Sequence, residues 1–192
     1  STGGAANLDP LTGIPDRAGF DGRFARAVES RIVHRTVTGA LGVALLDIDR
    51  FDDLVRCHGR DAGDRVLAEL GRMLDIYTRK GETITRFDDS TFALLMPIVE
   101  TAEELANAAE RFRGEIAALR IDHDGGVLQV TASVAAVASS AIDRHNGGAA
   151  LLAEAERLLQ RARSDGGNRS CSEYCGRLSM PVAVAVHPIT SQ

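Results

Sequence analysis

Residues 39–49 read Gly39-Ala40-Leu41-Gly42-Val43-Ala44-Leu45-Leu46-Asp47-Ile48-Asp49. A short, nearly uninterrupted apolar run rich in Val and Leu, opened by glycine and closed by aspartates, predicts a strand buried on both faces. Such a strand needs covering layers, and the flanking sequence supplies them. Upstream, Asp16 is placed to cap a helix over residues 16–37. Downstream, a charged stretch leads into residues 63–80, where Val66, Leu67, Leu70, Met73, Leu74 and Tyr77 recur at helical spacing. Residues 83–87 and 91–97 are strand-like runs separated by Asp88-Asp89-Ser90, which predicts a hairpin. Thr101-Ala102-Glu103-Glu104 is a capping box opening a helix to residue 119. Asp124-Gly125-Gly126 separates 121–124 from 127–138 as a second hairpin, and residues 149–164 form a last helix before Gly166-Gly167. The predicted order is α-β-α-β-β-α-β-β-α, an α/β fold with a βαββαβ centre. In the tail, Pro181-Val182-Ala183-Val184-Ala185-Val186 suits either an edge strand or a linker.

The 192 residues carry 22 Lys plus Arg against 27 Asp plus Glu, a formal charge of −5. A chain this acidic is a poor nucleic-acid binder, because phosphate neutralisation needs a basic surface. Aromatics make up 4% with no Trp, so the core is aliphatic and stacking platforms for bases are scarce. Cys57, Cys171 and Cys175 are too few for a disulfide framework and fit a reducing cytoplasm. Cys171 and Cys175 with His187 lack the spacing of a zinc site, and His34, His58, His123 and His145 are scattered. The longest charge-free stretch, 125–142, has Gln129, Thr131 and Ser133 at alternate positions and reads as a strand with its exit loop, not a membrane span. The opening Ser1-Thr2-Gly3-Gly4 is expected to be a linker and not a signal peptide.

Asp47 and Asp49 at the carboxyl end of a buried strand are the first chemical signal. Carboxylates there suit Mg²⁺ in phosphoryl transfer, though aspartate also simply favours strand ends. The two are expected to diverge, one inward and one away. With Asp52, Asp53, Asp88 and Asp89 this end gathers acids, and the nearest bases in sequence are Arg50 and Arg86. That balance is unfavourable for a nucleoside triphosphate.

At these residues the chain resembles the GGDEF family, the diguanylate cyclases that condense two GTP into cyclic di-GMP. Asp9-Pro10-Leu11-Thr12-Gly13-Ile14-Pro15-Asp16-Arg17 is similar to the family's D-x-L-T-G-L-x-N-R opening. Leu46-Asp47-Ile48-Asp49-Arg50-Phe51 resembles its L-D-I-D-x-F strand end, and Gly59-Arg60-Asp61-Ala62-Gly63-Asp64 its G-H-x-x-G-D. Ala162-Arg163 through Gly166-Gly167-Asn168-Arg169 resembles the closing A-K-x-x-G-R-N. The resemblance runs over residues 8–169, with 1–7 as a linker and 170–192 as a tail, linker or edge strand. It implies a cyclase-like, ferredoxin-like βαββαβ core in a mixed five-stranded sheet surrounded by helices.

The signature itself is broken. Where the family reads R-Y-G-G-D/E-E-F, this chain has Arg86-Phe87-Asp88-Asp89-Ser90-Thr91-Phe92. Asp88 and Asp89 replace glycines that give backbone freedom and close approach to phosphates. Ser90 replaces the metal-binding carboxylate, and Thr91 the glutamate after it. Asp52 stands for a phosphate-binding Lys, Val55 for a guanine-reading Asn, and Gly167 for an Arg. What the resemblance leaves is Asp64 as the one guanine contact, Arg163 as a cation for the phosphates, and Asp47, Ile48 and Asp49 as residual metal ligands. Each lost polar contact costs binding about 1–3 kcal/mol. Arg79-Lys80-Gly81-Glu82 falls where active members carry an inhibitory R-x-x-D site for cyclic di-GMP, with Glu82 for Asp; read locally, it is a helix end capped at Gly81.

The expectation is a degenerate, catalytically inactive domain that serves cyclic di-GMP signalling through contacts with other signalling domains or proteins. It requires no cofactor, Mg²⁺ entering only with GTP, and it sits in the cytoplasm with no membrane contact of its own, whatever anchors a longer parent. The alternative is a sensor of cyclic di-GMP or GTP that regulates an adjacent domain. A third reading, an active cyclase, needs Asp88 or Asp89 to replace the missing metal ligand.

Overall fold

The computed structural model describes residues 7–34, 38–142 and 148–175. The central strand is the one expected. β1 (Ala40–Ile48) is buried at every position. Its even-numbered side chains Ala44, Leu46 and Ile48 enter one core, and odd-numbered Leu41, Val43 and Leu45 enter another. This is the strand's two-residue period dividing one continuous apolar run between two layers.

One layer holds α1 (Arg17–Val33) and, from the far end of the chain, α5 (Ala149–Ser164), which contribute Phe20, Leu151 and Leu158. The other holds α3 (Arg60–Tyr77) and α4 (Ala102–Ala118), with Leu70, Leu74, Phe112 and Ile116 turned inward. The predicted capping residues act as such: Asp16 accepts from the Gly19 N–H at 2.9 Å and Thr101 from the Glu104 N–H at 3.1 Å. The charged stretch between β1 and α3 is itself helical: α2 (Phe51–His58) lies against α3. The first helix ends at Val33; residues 35–37 of the expected span lie outside the described ones.

The five-stranded sheet has the order β2-β3-β1-β6-β7. β2 (Thr83–Arg86) and β3 (Thr91–Val99) form the expected antiparallel hairpin, and β3 also pairs antiparallel with β1. With β6 (Ala132–Ser139) antiparallel on β1's other side, β2-β3-β1-β6 is the strand order of a βαββαβ core.

Two boundaries differ from expectation. The run 127–138 is not one strand. β4 (Ile121–His123) and β5 (Gly126–Leu128) make a separate two-stranded hairpin, turned by Asp124 (φ 48°) and Gly125 (φ 75°). The chain then leaves that hairpin through 129–131, where the Thr131 carbonyl accepts from the Asp49 N–H, and enters the main sheet as β6. The fifth strand of the main sheet is β7 (Ser170–Cys175), parallel to β6. The sheet therefore extends past the boundary expected at residue 169. The tail strand proposed at 181–186 lies outside the described residues.

Candidate functional site

The sheet brings Asp47 opposite Thr91 on β3 and Ser133 on β6. Asp47 is 3% exposed. Its Oδ1 accepts from the Ser90 hydroxyl at 2.8 Å and the Thr91 hydroxyl at 3.0 Å, and its Oδ2 lies 3.3 Å from Nε of Arg163 at the end of α5. Two of the residues that replace the family signature thus act as donors to the aspartate that the resemblance marks as a metal ligand.

Asp49 is two residues on, and positions two apart share a side of a strand. The expected opposite facing of the two is therefore not observed: both lie on one side of the sheet's end, with Asp49 turned toward β6. Asp49 accepts from Thr131 Oγ1 at 2.6 Å, Ser133 Oγ at 2.7 Å and the Asn168 N–H at 2.8 Å. Gly167 permits that last approach: at φ 71° it is left-handed, and a Cβ there would sit 2.8 Å from Asp49 Oδ1. Thr131 and Ser133 are visible in the sequence as alternating polar residues in an apolar run. Asn168, 119 positions away, follows the turn-forming pair Gly166-Gly167.

The hairpin turn closes on ordinary backbone. Neither Asp88 nor Asp89 adopts positive φ. The N–H groups of Phe87 and Asp88 both donate to the Thr91 carbonyl, and Arg86 donates to the carbonyls of Asp88 and Asp89 at 2.9 and 2.6 Å. Arg86 also pairs with Asp9 at 3.6 Å, tying the turn to the Asp9–Gly13 loop. The expected pool of acids is partly dispersed. Asp53 pairs with Arg50 and Arg56, and the hydrogen bond from Arg50 leads in holding its carboxyl below the usual range. Asp88 lines a cavity against α5, whereas Asp89 lines one against α2 and α3.

That second cavity encloses about 480 Å³ and is lined by Phe51, Val55, Arg56, Arg60, Asp64 and Asp89, among others. Its size suits a small-molecule ligand. Among the described residues Asp64 has neither a hydrogen-bond nor an ion-pair partner. Gly63 shapes the wall: a Cβ there would stand 2.7 Å from Val55 Cγ2 and 3.2 Å from Phe51 Cζ. A smaller cavity of about 220 Å³ adjoins it, sharing Phe51, Asp52 and Ser90 and adding Asp47, Ile48, Arg50 and Arg163. The structure so brings Asp47, Ile48, Ser90 and Arg163 together. Asp64 stands in the neighbouring space, and Thr91 meets Asp47 from β3.

Arg79 and Glu82 form a separate local turn. The Glu82 carboxylate accepts from the Arg79 N–H at 2.9 Å, and the Glu82 N–H donates to the Arg79 carbonyl at 3.0 Å. Gly81 is left-handed at φ 94°, and the Arg79 guanidinium pairs with Glu104 at 3.3 Å. Both residues are engaged within the turn or with α4.

The metal expected from the resemblance does not fit these residues. A hard divalent cation wants several free oxygen ligands. Asp47 already accepts from two hydroxyl donors beside a guanidinium, and Asp49 from two hydroxyls and a backbone N–H, which leaves each carboxylate about one free acceptor site. Among the described residues no group of three or more His, Cys, Asp or Glu is placed to hold a metal ion.

A sheet of this order, with aspartates at the end of its central strand beside a hairpin turn and a nucleotide-sized cavity, defines a cyclase-like α/β domain. The chain belongs to the GGDEF family: the model of "Diguanylate cyclase, GGDEF domain" matches residues 6–169. It is 34% identical over 164 residues to diguanylate cyclase DgcP of Pseudomonas aeruginosa, covering 85% of this chain and 23% of that protein. It is 29% identical over 170 residues to diguanylate cyclase DgcM of Escherichia coli, covering 86% of this chain and 38% of that protein. The chain thus spans well under half the length of these relatives. Among solved structures, diguanylate cyclase SiaD of P. aeruginosa, in complex with its activator SiaC, superposes with a TM-score of 0.80 at 27% identity, covering 88% of this chain and 62% of that one. The GGDEF domain of DgcB from Caulobacter crescentus, in complex with cyclic di-GMP, gives 0.78 at 22% identity, covering 90% and 96%, which supports the fold. Among the described residues no helix is long and apolar enough to cross a membrane.

Proposed function

We propose that this GGDEF domain makes no cyclic di-GMP and works in cyclic di-GMP signalling as a regulatory module, through contacts with other signalling domains or proteins on the cytoplasmic side. The observation that carries this reading is the state of Asp47: buried, with Ser90, Thr91 and Arg163 occupying its carboxylate. A cyclase has to neutralise a triphosphate at this end, and here Asp52 replaces a cation and Gly167 another. SiaD, a relative bound to a protein partner, is a precedent for a GGDEF protein regulated by protein contact. The test is incubation with GTP and Mg²⁺ followed by chromatography. No cyclic di-GMP is expected; product that disappears in Asp47→Ala would overturn the proposal and return Asp88 or Asp89 to consideration as a ligand.

A second reading has its own observation. The 480 Å³ cavity is open, and Asp64 inside it is unpartnered among the described residues, as a residual guanine contact would be. In this reading the domain binds GTP without turning it over, or binds cyclic di-GMP at Arg79 and Glu82, and so senses nucleotide for a neighbouring domain. Calorimetric titration with GTP and with cyclic di-GMP separates the two. Heat with GTP that is lost in Asp64→Ala supports the cavity, heat with cyclic di-GMP lost in Arg79→Ala supports the turn, and no heat with either removes the sensor.

A further inference from the structure

We infer that Arg163, Ser90 and Thr91 have taken over the charge and hydrogen-bond satisfaction of Asp47 that a divalent cation would supply, so that this end of the sheet is closed without metal. The inference deepens the reading of a silent domain and rests on it, but concerns ion occupancy, which is measured without turnover.

The argument starts from what a buried carboxylate requires. Removed from water, it must be paired or hydrogen-bonded, or the fold bears the full desolvation cost. Asp47 meets that requirement from three elements at once. The β2–β3 turn provides Ser90 and β3 provides Thr91, both donating to Oδ1; the end of α5 provides Arg163 beside Oδ2. A cation entering here would have to reverse both hydroxyls, whose protons face Oδ1, and displace a guanidinium of like charge. Asp49 offers little further foothold, since its oxygens already accept from Thr131, Ser133 and the Asn168 N–H.

The substitutions also agree with one another. A carboxylate at position 90 would face that of Asp47 across 2.8 Å of present hydrogen bond and would need a metal between them. A hydroxyl at the same place removes that need and adds a donor. Ser90 is in this sense a replacement with its own chemistry. Arg163 keeps the positive charge that the resemblance gives this position as lysine, and here it is turned onto Asp47, where a guanidinium can hold a carboxylate more directionally than a lysine's point charge. The geometry assigns Ser90, Thr91 and Arg163 as positioning residues that fasten the hairpin turn and the α5 terminus to the end of β1.

The experiment compares Mn²⁺ binding by electron paramagnetic resonance in the present chain and in a Ser90→Glu, Arg163→Ala double variant, with Asp47→Asn made in each. Expected is that the double variant gains a bound Mn²⁺ that Asp47→Asn removes, whereas the present chain shows no Asp47-dependent site. Equal Mn²⁺ binding by the two chains, whether present or absent in both, overturns the inference, because Arg163 and Ser90 would then not decide occupancy. Thermal melts provide a readout independent of the double variant's folding. The Tm of the present chain is expected to be the same with Mg²⁺ and with chelator; a Mg²⁺-dependent rise lost in Asp47→Asn would overturn the inference. A chain that binds Mn²⁺ through Asp47 yet makes no cyclic di-GMP refutes this inference alone, and one that makes cyclic di-GMP refutes the silent reading as well.

Discussion

The two cavities beside Ser90 differ in how their aspartates are served. In the smaller one buried Asp47 is held by hydroxyls and Arg163, with Asp49 behind it held by Thr131, Ser133 and Asn168, while exposed Asp52 at its rim has no partner among the described residues. In the larger one Asp64 faces open space with no partner among the described residues, and Val55 stands where a polar residue would read a base. The difference follows from burial. A carboxylate at 3% exposure needs partners within the fold, whereas the exposed Asp52 and Asp64 are served by water.

The largest expected effect sets one aspartate against the other. Asp47→Ala strands two hydroxyls and a guanidinium and is expected to lose about 2–3 kcal/mol, roughly 4–12 °C in Tm for a domain of this size. Asp64→Ala is expected to stay within about 0.5 kcal/mol. Thermal and urea denaturation of the pair decides it; equal losses would erase the distinction between closed and open ends.

Next comes the wall between α2 and α3. Gly63→Ala forces a methyl against Val55 and Phe51 and is expected to cost about 1–3 kcal/mol. It also reshapes the open cavity while leaving the Asp47 cluster untouched. Melting the variant, and repeating the GTP titration with it, would show whether the cavity is held open by this close approach.

The smallest effect probes how far the closed region reaches. Asn168 Oδ1 accepts from Arg113 at 2.7 Å, and Glu110 takes hydrogen bonds from Arg113 and from Ser170 at the start of β7. The hydrogen bond from Arg113 is the main cause holding the Glu110 carboxyl below its usual 4.5, with Ser170 second. A carboxyl lowered in the folded state stabilises it above the unfolded value and loses that contribution as pH falls through the folded one. Glu110→Gln should lower stability slightly at pH 7, where the carboxylate's contribution is present, and flatten the acid limb below about pH 5, where the parent chain loses that contribution. Unfolding the two proteins across that range checks it, and identical acid limbs would mean the network ends at Asn168.

Much of this arrangement is legible in the sequence, for identifiable reasons. β1, α3 and the β2–β3 hairpin announce themselves because their burial is strong and local, so apolar spacing reports it directly. α2 is not legible because none of its eight residues is fully buried and its charges dominate. β7 is not legible because Ser170-Cys171-Ser172-Glu173-Tyr174-Cys175 is only partly buried, and its parallel pairing to β6 is fixed by the sheet, not by its own pattern. At the site, the meeting of Asp47 with the hairpin turn follows from strand order. The donors to Asp49 do not, since Asn168 reaches it only through a left-handed glycine 118 positions after Asp49. A chemical pattern is readable where chain neighbours or paired strands make it, and unreadable where a distant turn completes it.

The hairpin at Asp88-Asp89 closes without a single left-handed residue. Any L-amino acid can in principle occupy such a turn, so the architecture places no demand for glycine at the positions where the signature has it. Side chains of many kinds therefore fit at 88 and 89 without backbone strain, and what ties the turn to the sheet is the contact of Ser90 with Asp47 rather than the turn's own conformation.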